Sequence, residues 1–168
     1  MKKMICILLV LILLVLPGCV KPSEDAYKRP AYFYYPRNDI LLDGKDGVIT
    51  YELREAAHIA SRKELLKYYF EGPDSSALYS PFPEESSVLE CTFFGNTLYV
   101  SLSHHFDELT GMPFTIATTC IAMTLFASTN FTVIEFEILG EDGQILRSFT
   151  LARDQVLVED THIALPGE

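Results

Sequence analysis

The sequence predicts an α+β domain, in which two helices pack on one face of a mainly antiparallel sheet. Three observations lead to this prediction. Residues 88–103 alternate between apolar and polar side chains on both sides of a Gly95-Asn96 turn, as a β-hairpin does. Residues 54–70 and 113–127 carry apolar side chains at helical spacing. Short alternating segments lie before the first helix and after the second, and this order of elements is typical of the α+β class.

The turn of the hairpin sets its register. Gly95 and Asn96 tolerate the positive φ angles of a tight hairpin turn, so Phe93 is predicted to face Leu98. By the same count, Cys91 faces Val100 and Leu89 faces Leu102. One face of the hairpin is therefore apolar, and we expect the helices to cover it: Leu89, Cys91, Phe93, Leu98, Val100 and Leu102. The other face is mostly polar: Glu90, Thr92, Tyr99 and Ser101.

The other elements follow in chain order. Residues 31–35 form an aromatic first strand and residues 48–53 a second strand, with a turn around 40–42 between them. The first helix, 54–70, ends at Gly72-Pro73, as helices commonly do. The second helix, 113–127, is almost uncharged, which predicts burial around much of its circumference.

The last two strands are predicted at residues 131–139 and 145–151. Alternation in the first of them points Ile134, Phe136 and Ile138 inward and turns Glu135 and Glu137 outward.

Residues 1–18 have the pattern of a bacterial signal peptide. Two lysines precede an apolar run that is shorter than the roughly 20 residues of a membrane span. The run ends in Leu16-Pro17-Gly18-Cys19, which resembles a lipobox, so Cys19 is predicted to receive a diacylglycerol. Two or three acyl chains, palmitate among them, would hold the protein on the extracytoplasmic face of the cell membrane. An ordinary cleaved signal peptide or a plain membrane anchor is the alternative.

The rest of the chain is predicted to form a tether at residues 19–30, one domain at residues 31–152 and a loosely held acidic tail at residues 153–168. The chain has 13 Lys and Arg against 23 Asp and Glu, and two of the lysines lie in residues 1–18. This acidic balance repels nucleic acid and anionic lipid head groups, so nucleic acid is not expected as a partner.

Residues with potential chemistry all have a structural interpretation as well. Cys91 and Cys120 could form a disulfide, but two small buried apolar side chains are favoured. The absence of a CxxC spacing leaves a zinc or redox motif without support. His58 is expected on the first helix and His162 in the tail.

His104-His105 followed by Asp107 and Glu108 is the most suggestive cluster. Adjacent histidines in a strand point to opposite sides, and in a loop they could still bind a metal, but a solvated loop is favoured over a metal or catalytic site.

Glu135 and Glu137 could act as an acid/base pair in glycan cleavage, although a solvated strand face is favoured. The sequence also lacks a Gly-x-Ser-x-Gly nucleophile elbow. We therefore predict no catalytic residues, no metal, no cofactor and no enzymatic activity.

Aromatic side chains exceed what one small core needs, and exposed aromatics favour interfaces or stacking on sugars. The surplus comprises Tyr34, Tyr35, Tyr68, Tyr69, Tyr79, Phe82, Phe94 and Tyr99. For Phe82 and Phe94 a place in the core or as cover of a sheet edge is favoured.

Several of these residues, in this order, resemble the GerM domain of the sporulation and spore-germination family. They are Tyr32-Phe33-Tyr34, Arg54, Leu65-Leu66, Gly72-Pro73, Pro83, the strand from Leu98 to Ser103, Thr124-Leu125, and the segment from Val133 to Gly140-Glu141. The chain departs from the family at Ser101, where an Asp is usual, and it holds one copy where some members hold two.

The resemblance implies a fold similar to ring-building domains of sporulation and secretion channels. It also implies a non-enzymatic, membrane-tethered extracytoplasmic module that contacts envelope or sporulation-complex proteins during sporulation or germination. A peptidoglycan-binding or peptidoglycan-modifying envelope lipoprotein is the alternative.

Overall fold

The computed structural model describes residues 30–38, 48–56, 59 and 61–156, and it confirms the α+β class. The elements are β1 (Ala31–Pro36), β2 (Ile49–Arg54), α1 (Arg62–Phe70), β3 (Val88–Phe94), β4 (Thr97–Ser103), a 3-10 helix (His104–Glu108), α2 (Gly111–Ser128), β5 (Val133–Leu139), β6 (Ile145–Ala152) and α3 (Arg153–Val156). The predicted signal peptide, Cys19, the turn around 40–42, His58 and His162 lie outside the described residues, as do all of the tether except Pro30 and the tail beyond Val156.

The strands form two sheets instead of the single sheet that was expected. Strands β1 and β2 pair with each other as an antiparallel ribbon, and a separate four-stranded sheet has the order β3-β4-β5-β6. The ribbon lies against α2, where the Tyr34 backbone N–H donates to Thr124 Oγ1 at 3.0 Å. Strand β1 therefore contacts a helix instead of a third strand.

The four-stranded sheet is antiparallel except at its centre, where β4 and β5 run parallel. Helix α2 connects these two strands, and a parallel pair requires a crossover connection of this kind.

Helix α2 covers the apolar face of the sheet. Phe114 of α2 contacts Phe149 edge-on, with ring centroids 5.1 Å apart, and Phe149 stacks on Phe136 at 4.9 Å. The covered face consists of fully buried side chains on the two central strands: Leu98, Val100, Leu102, Ile134, Phe136 and Ile138. The inward and outward alternation predicted for β5 is confirmed, and so is the extensive burial of α2.

Among the described residues, α2 is the one helix long and apolar enough to cross a bilayer, and half of it is buried inside the protein. A core helix meets the same length and composition criteria.

The register of the hairpin is confirmed near its turn, where Phe93 pairs with Leu98 and Cys91 with Val100. Gly95 has a φ of 58°, which is the left-handed conformation that such a turn requires of its first central residue. The predicted pairing of Leu89 with Leu102 is wrong. Val88 takes that place because Leu89 is the extra residue of a β-bulge.

The helices were expected to bury the whole apolar face of the hairpin, but only the β4 side chains of this face are fully buried, and β3 is partly exposed. Val100 is buried, whereas Leu89 is 42% and Phe93 60% exposed. The reason is topological, because β3 is an edge strand and α2 lies over the centre of the sheet. Cys91 is half-buried.

Helix α1 begins at Arg62, eight residues later than predicted, because β2 continues through Arg54. Ser61 caps the helix, and its hydroxyl accepts a hydrogen bond from the Glu64 backbone N–H at 3.2 Å. Ala56 and Ile59, which were assigned to the helix, are buried in the segment before it.

The first residues of the predicted tail are held in place, contrary to expectation. Arg153–Val156 form the short helix α3, and Val156 is buried. The Arg153 guanidinium donates to the backbone oxygens of Thr129 at 2.7 Å and Phe131 at 2.8 Å, just beyond the C-terminus of α2.

Candidate interaction surface

The face of the four-stranded sheet opposite α2 forms the candidate site, and we call it the open sheet face. Its side chains stand in two cross-strand rows. One row is Glu90, Ser101, Glu137 and Ser148. The other row is Thr92, Tyr99, Glu135 and Thr150. Every member is partly or largely exposed, so the face presents hydroxyl groups and carboxylates to solvent.

Three carboxylates give the open sheet face a negative charge. Glu135 and Glu137 lie two residues apart on β5, which separates their Cα atoms by roughly 7 Å, and Glu90 lies on the β3 edge. None of the three has an ion-pair partner among the described residues, and no Lys or Arg belongs to either row. A partner that binds here would have to supply hydrogen-bond donors or positive charge.

The turn of the hairpin adds an apolar border to this face. Phe94, at the end of the edge strand β3, is 82% exposed, so the core alternative predicted for it is wrong. Phe93 points to the other side of the hairpin, where it contacts Phe131 at a ring-centroid distance of 5.6 Å, and the Arg62 guanidinium lies over both rings at 5.3 and 5.1 Å. The Asn96 side-chain amide donates to Thr132 Oγ1 at 2.6 Å, which ties the turn to the segment entering β5.

Three of the tyrosines assigned to the aromatic surplus belong to the core instead. Tyr34, Tyr35 and Tyr69 are buried. The Tyr35 hydroxyl donates to the Tyr69 backbone oxygen at 2.6 Å, and the Tyr69 hydroxyl donates to the Tyr34 backbone oxygen. Burial raises the pKa of both phenols, so these groups act as neutral hydrogen-bond donors.

The other members of the surplus divide between surface and core. Tyr79 and Tyr99 are exposed, and Tyr68 is partly buried. Phe82 packs against Phe70 at 4.5 Å and against Tyr69 at 5.0 Å, in agreement with the core position that was favoured for it.

Arg54 lies buried beneath the ribbon, and its contacts are structural. Its guanidinium donates to Glu52 Oε1 and to the Gly72 backbone oxygen, and its Nε lies 3.2 Å from Asp74 Oδ2. It also lies over the ring of Phe33 at 5.2 Å. Arg54 and Gly72, two separate parts of the GerM resemblance, are thus in direct contact.

The histidine pair lies on a 3-10 helix instead of a loop, because the adjacent Phe106 is fully buried. The two rings lie 4.0 Å apart. His104 Nε2 is 3.8 Å from Glu141 Oε1, and His105 Nε2 is 3.5 Å from Glu85 Oε2. Within the described ranges, no group of three or more His, Cys, Asp or Glu side chains could hold a metal ion.

Neither described cysteine is arranged as a nucleophile. Cys91 and Cys120 are both free thiols. Burial raises the pKa of Cys91 to about 11 and that of Cys120 still further, so both stay protonated at neutral pH. The apolar interpretation therefore fits Cys120, while Cys91 is half-buried at the sheet edge.

One exposed surface was missed by the sequence analysis. Tyr51 and Leu53 of β2 are 41% and 53% exposed, while Glu52 and Arg54 on the same strand point into the protein. The alternation was visible in residues 49–54, but it does not say which side faces solvent, and the apolar side is usually the buried one.

The chain was also compared with known proteins. No protein-family model matches it, and no curated protein does. Among solved structures, it is similar to the tandem GerMN domains of the sporulation protein GerM from Bacillus subtilis, with 14% sequence identity and a TM-score of 0.46. The match covers 68% of this chain and 42% of that chain, so the chain spans less than half the length of that structure. A likeness at this TM-score carries no functional argument.

Proposed function

We propose that this chain is a membrane-tethered extracytoplasmic lipoprotein whose domain binds another envelope protein during sporulation or germination, without catalysing a reaction. The observation that carries the proposal is the open sheet face. It has three carboxylates without a cationic partner among the described residues, and Phe94 stands exposed at its border. Such a combination of charge and exposed aromatic surface is typical of interaction sites.

The GerM resemblance in the sequence supports the biological setting, and the lipobox supports the tether. The non-enzymatic part of the proposal rests on the chemistry of the candidate residues. Glu135 and Glu137 stand on a pleated surface among hydroxyl groups, and the described thiols have raised pKa values. A protonated thiol is a poor nucleophile.

Pull-down from the envelope of a sporulating host tests the proposal. The tethered wild-type protein is used as bait beside the Glu135→Lys/Glu137→Lys variant, in which the charge of the open sheet face is reversed. The matched control is Glu71→Lys/Glu84→Lys, since both residues are exposed and lie outside this face. We expect one extracytoplasmic protein to be retained by the wild type and the control and lost from the first variant.

Retention by all three proteins would overturn the assignment to the open sheet face. A deletion strain that forms and germinates spores normally would overturn the biological role.

Peptidoglycan binding is the second candidate, and one observation favours it. Tyr99 lies directly across from Glu135 on neighbouring strands, and an aromatic ring beside a carboxylate is a combination that binds sugars. Sedimentation with purified sacculi tests this candidate. We expect the wild type to pellet and Tyr99→Ala to remain in solution if the candidate is correct, and failure of the wild type to pellet would exclude it.

A further inference from the structure

We propose that the outer face of the β1–β2 ribbon rests in the head-group region of the bilayer to which the chain is tethered. The exposed part of this outer face consists of Tyr32, Tyr51 and Leu53, while Tyr34, which shares the face and contacts Tyr51 at a ring-centroid distance of 5.7 Å, is buried. The inference rests on the membrane tether of the proposed function, but it concerns a different surface from the open sheet face.

The ribbon has an inverted distribution of polar and apolar side chains. Glu52 and Arg54, the two charged residues of β2, point inward and pair with each other. Tyr51 and Leu53 point outward, at 41% and 53% exposure, on a strand that forms the edge of its sheet. In water such a face is unfavourable, and natural edge strands usually carry charge there. An apolar environment on this side would account for the inversion.

The chemistry of the outer face matches a lipid interface. Tyr32 lies across from Leu53, and its ring contacts Tyr51 edge-on with centroids 5.1 Å apart, so the three side chains form one continuous surface. None of them is charged. Tyrosine combines an apolar ring with a hydroxyl group, and for that reason it is enriched where hydrocarbon meets head groups.

The tether delivers this face to the membrane. Only eleven residues, 20–30, separate Cys19 from Ala31, the first residue of β1. The distance from Cys19 to Ala31 is at most about 42 Å when they are fully extended and about 19 Å as a flexible coil. Ala31 pairs with Arg54, so Tyr32 and Leu53 lie at the end of the ribbon where the tether enters. At such a high effective concentration, a weak affinity is enough for docking.

The charge distribution favours the same orientation. Residues 31–168 contain 8 Lys and Arg against 21 Asp and Glu, so most other surfaces repel an anionic bilayer. The open sheet face, with its three carboxylates, lies on the other side of the sheet from α2 and the ribbon. Docking through the ribbon therefore turns the acidic face away from the membrane.

Single-tryptophan fluorescence tests the inference, because the chain contains no Trp. The full chain carrying Tyr51→Trp is reconstituted into vesicles of phosphatidylethanolamine and phosphatidylglycerol, with or without brominated acyl chains. The matched control is Tyr99→Trp on the open sheet face, where the native side chain is exposed to a similar extent, 37%. Circular dichroism verifies that both variants are folded, and flotation verifies that they are held by the vesicles.

We expect the brominated lipids to quench the tryptophan at position 51 about twofold and the tryptophan at position 99 hardly at all. Equal quenching at the two positions in the floated protein would overturn the docking and leave the tether intact. A blue-shifted tryptophan at position 51 that brominated lipids do not quench would also overturn it, in favour of a second copy or a protein partner. Failure of the chain to float would overturn both the tether and the docking.

Discussion

The Arg54 side chain joins three parts of the chain that are distant in sequence. Its guanidinium donates to Glu52 on its own strand and to the Gly72 backbone oxygen after α1, and it lies over the ring of Phe33 on β1. Glu52 in turn accepts hydrogen bonds from the backbone N–H groups of Asp74 and Ser75 at 3.1 and 3.2 Å. Because this ion pair is nearly buried, removing Arg54 leaves the Glu52 charge in the protein without its cationic partner.

We expect Arg54→Met to lower the free energy of unfolding by about 3 kcal/mol, since the substitution leaves Glu52 unpaired beneath the ribbon. The control is Arg147→Met, which removes an ion pair to Asp107 that is about a third exposed and should cost about 1 kcal/mol or less. Urea denaturation followed by circular dichroism gives both values. Equal losses would mean that Arg54 is not a structural centre.

Cys91 gives the protein a measurable response to pH. Burial raises the pKa of this thiol to about 11, although Arg62 and Lys63 nearby act in the opposite direction. At pH 8 we expect alkylation of Cys91 about a hundredfold slower than that of a free thiol, because the thiolate is the reactive form. Peptide mapping by mass spectrometry, with Cys91→Ser as control, measures this rate. A rate equal to that of a free thiol would contradict burial of the sulfur.

The same shift has a consequence for stability. Because the pKa is raised in the folded state, the folded protein holds the thiol proton more tightly than the unfolded chain does. The contribution of Cys91 to stability is therefore present below about pH 8.5 and is lost as the pH rises toward about 11. Cys91→Ser should show a weaker loss of stability over this range.

At the scale of elements, α2 is both the cover of the sheet and the support of the ribbon. The Tyr34 backbone N–H, on a buried part of β1, donates to Thr124 Oγ1 at 3.0 Å. The hydroxyl of Thr118, also buried in α2, bonds only to backbone oxygens of its own helix, at 2.9 and 3.2 Å. The two threonines thus have similar burial and different partners.

We expect Thr124→Val to reduce the free energy of unfolding by about 1–3 kcal/mol, because it leaves the Tyr34 N–H buried without an acceptor. Thr118→Val keeps the same shape and should be nearly neutral, since the helix already satisfies those backbone oxygens. Thermal and urea denaturation compare the two variants. Similar effects would show that the contact with the ribbon contributes no stability.

The elements that the sequence predicted correctly are those governed by local chemistry. Gly95-Asn96 sets a turn, and the turn sets the register of its neighbours. The start of α1 could have been found as well, because Ser61 followed by Glu64 has the spacing of a capping box. The exposure of Phe93 could not have been predicted from the sequence. It depends on the position of β3 at the edge of the sheet, which the strand order determines.

The candidate site was predictable only in part. The outward carboxylates Glu135 and Glu137 followed from alternation on one strand. Their combination with Tyr99 in cross-strand rows depends on the parallel pairing of β4 with β5, which no local pattern encodes. The burial of Tyr34, Tyr35 and Tyr69 could not be predicted locally. The hydroxyl groups of Tyr35 and Tyr69 find their backbone acceptors only when β1 contacts α1, and these two elements are far apart in the chain.

For the whole molecule, the central expectation is attachment to the membrane through Cys19. We expect the wild type to incorporate labelled palmitate and to fractionate with membranes, because the lipobox-like sequence predicts that the Cys19 thiol receives a diacylglycerol. Cys19→Ser should lose the label, while Cys91→Ser should keep it. Labelling that persists in Cys19→Ser would contradict lipidation at Cys19. Retention of the unlabelled variant in the membrane would point to an uncleaved anchor.

The parallel pairing of β4 with β5 also affects the order in which the sheet folds. The two hairpins, β3–β4 and β5–β6, each close over a few residues, whereas the contact that joins them must wait until α2 has crossed between them. Closing the longer loop has the larger entropic cost, so we expect each hairpin to protect its amides from deuterium earlier in refolding than the β4–β5 junction does. The four-stranded sheet should therefore form from two early hairpins, and their late pairing at the β4–β5 junction should limit the rate at which the sheet refolds.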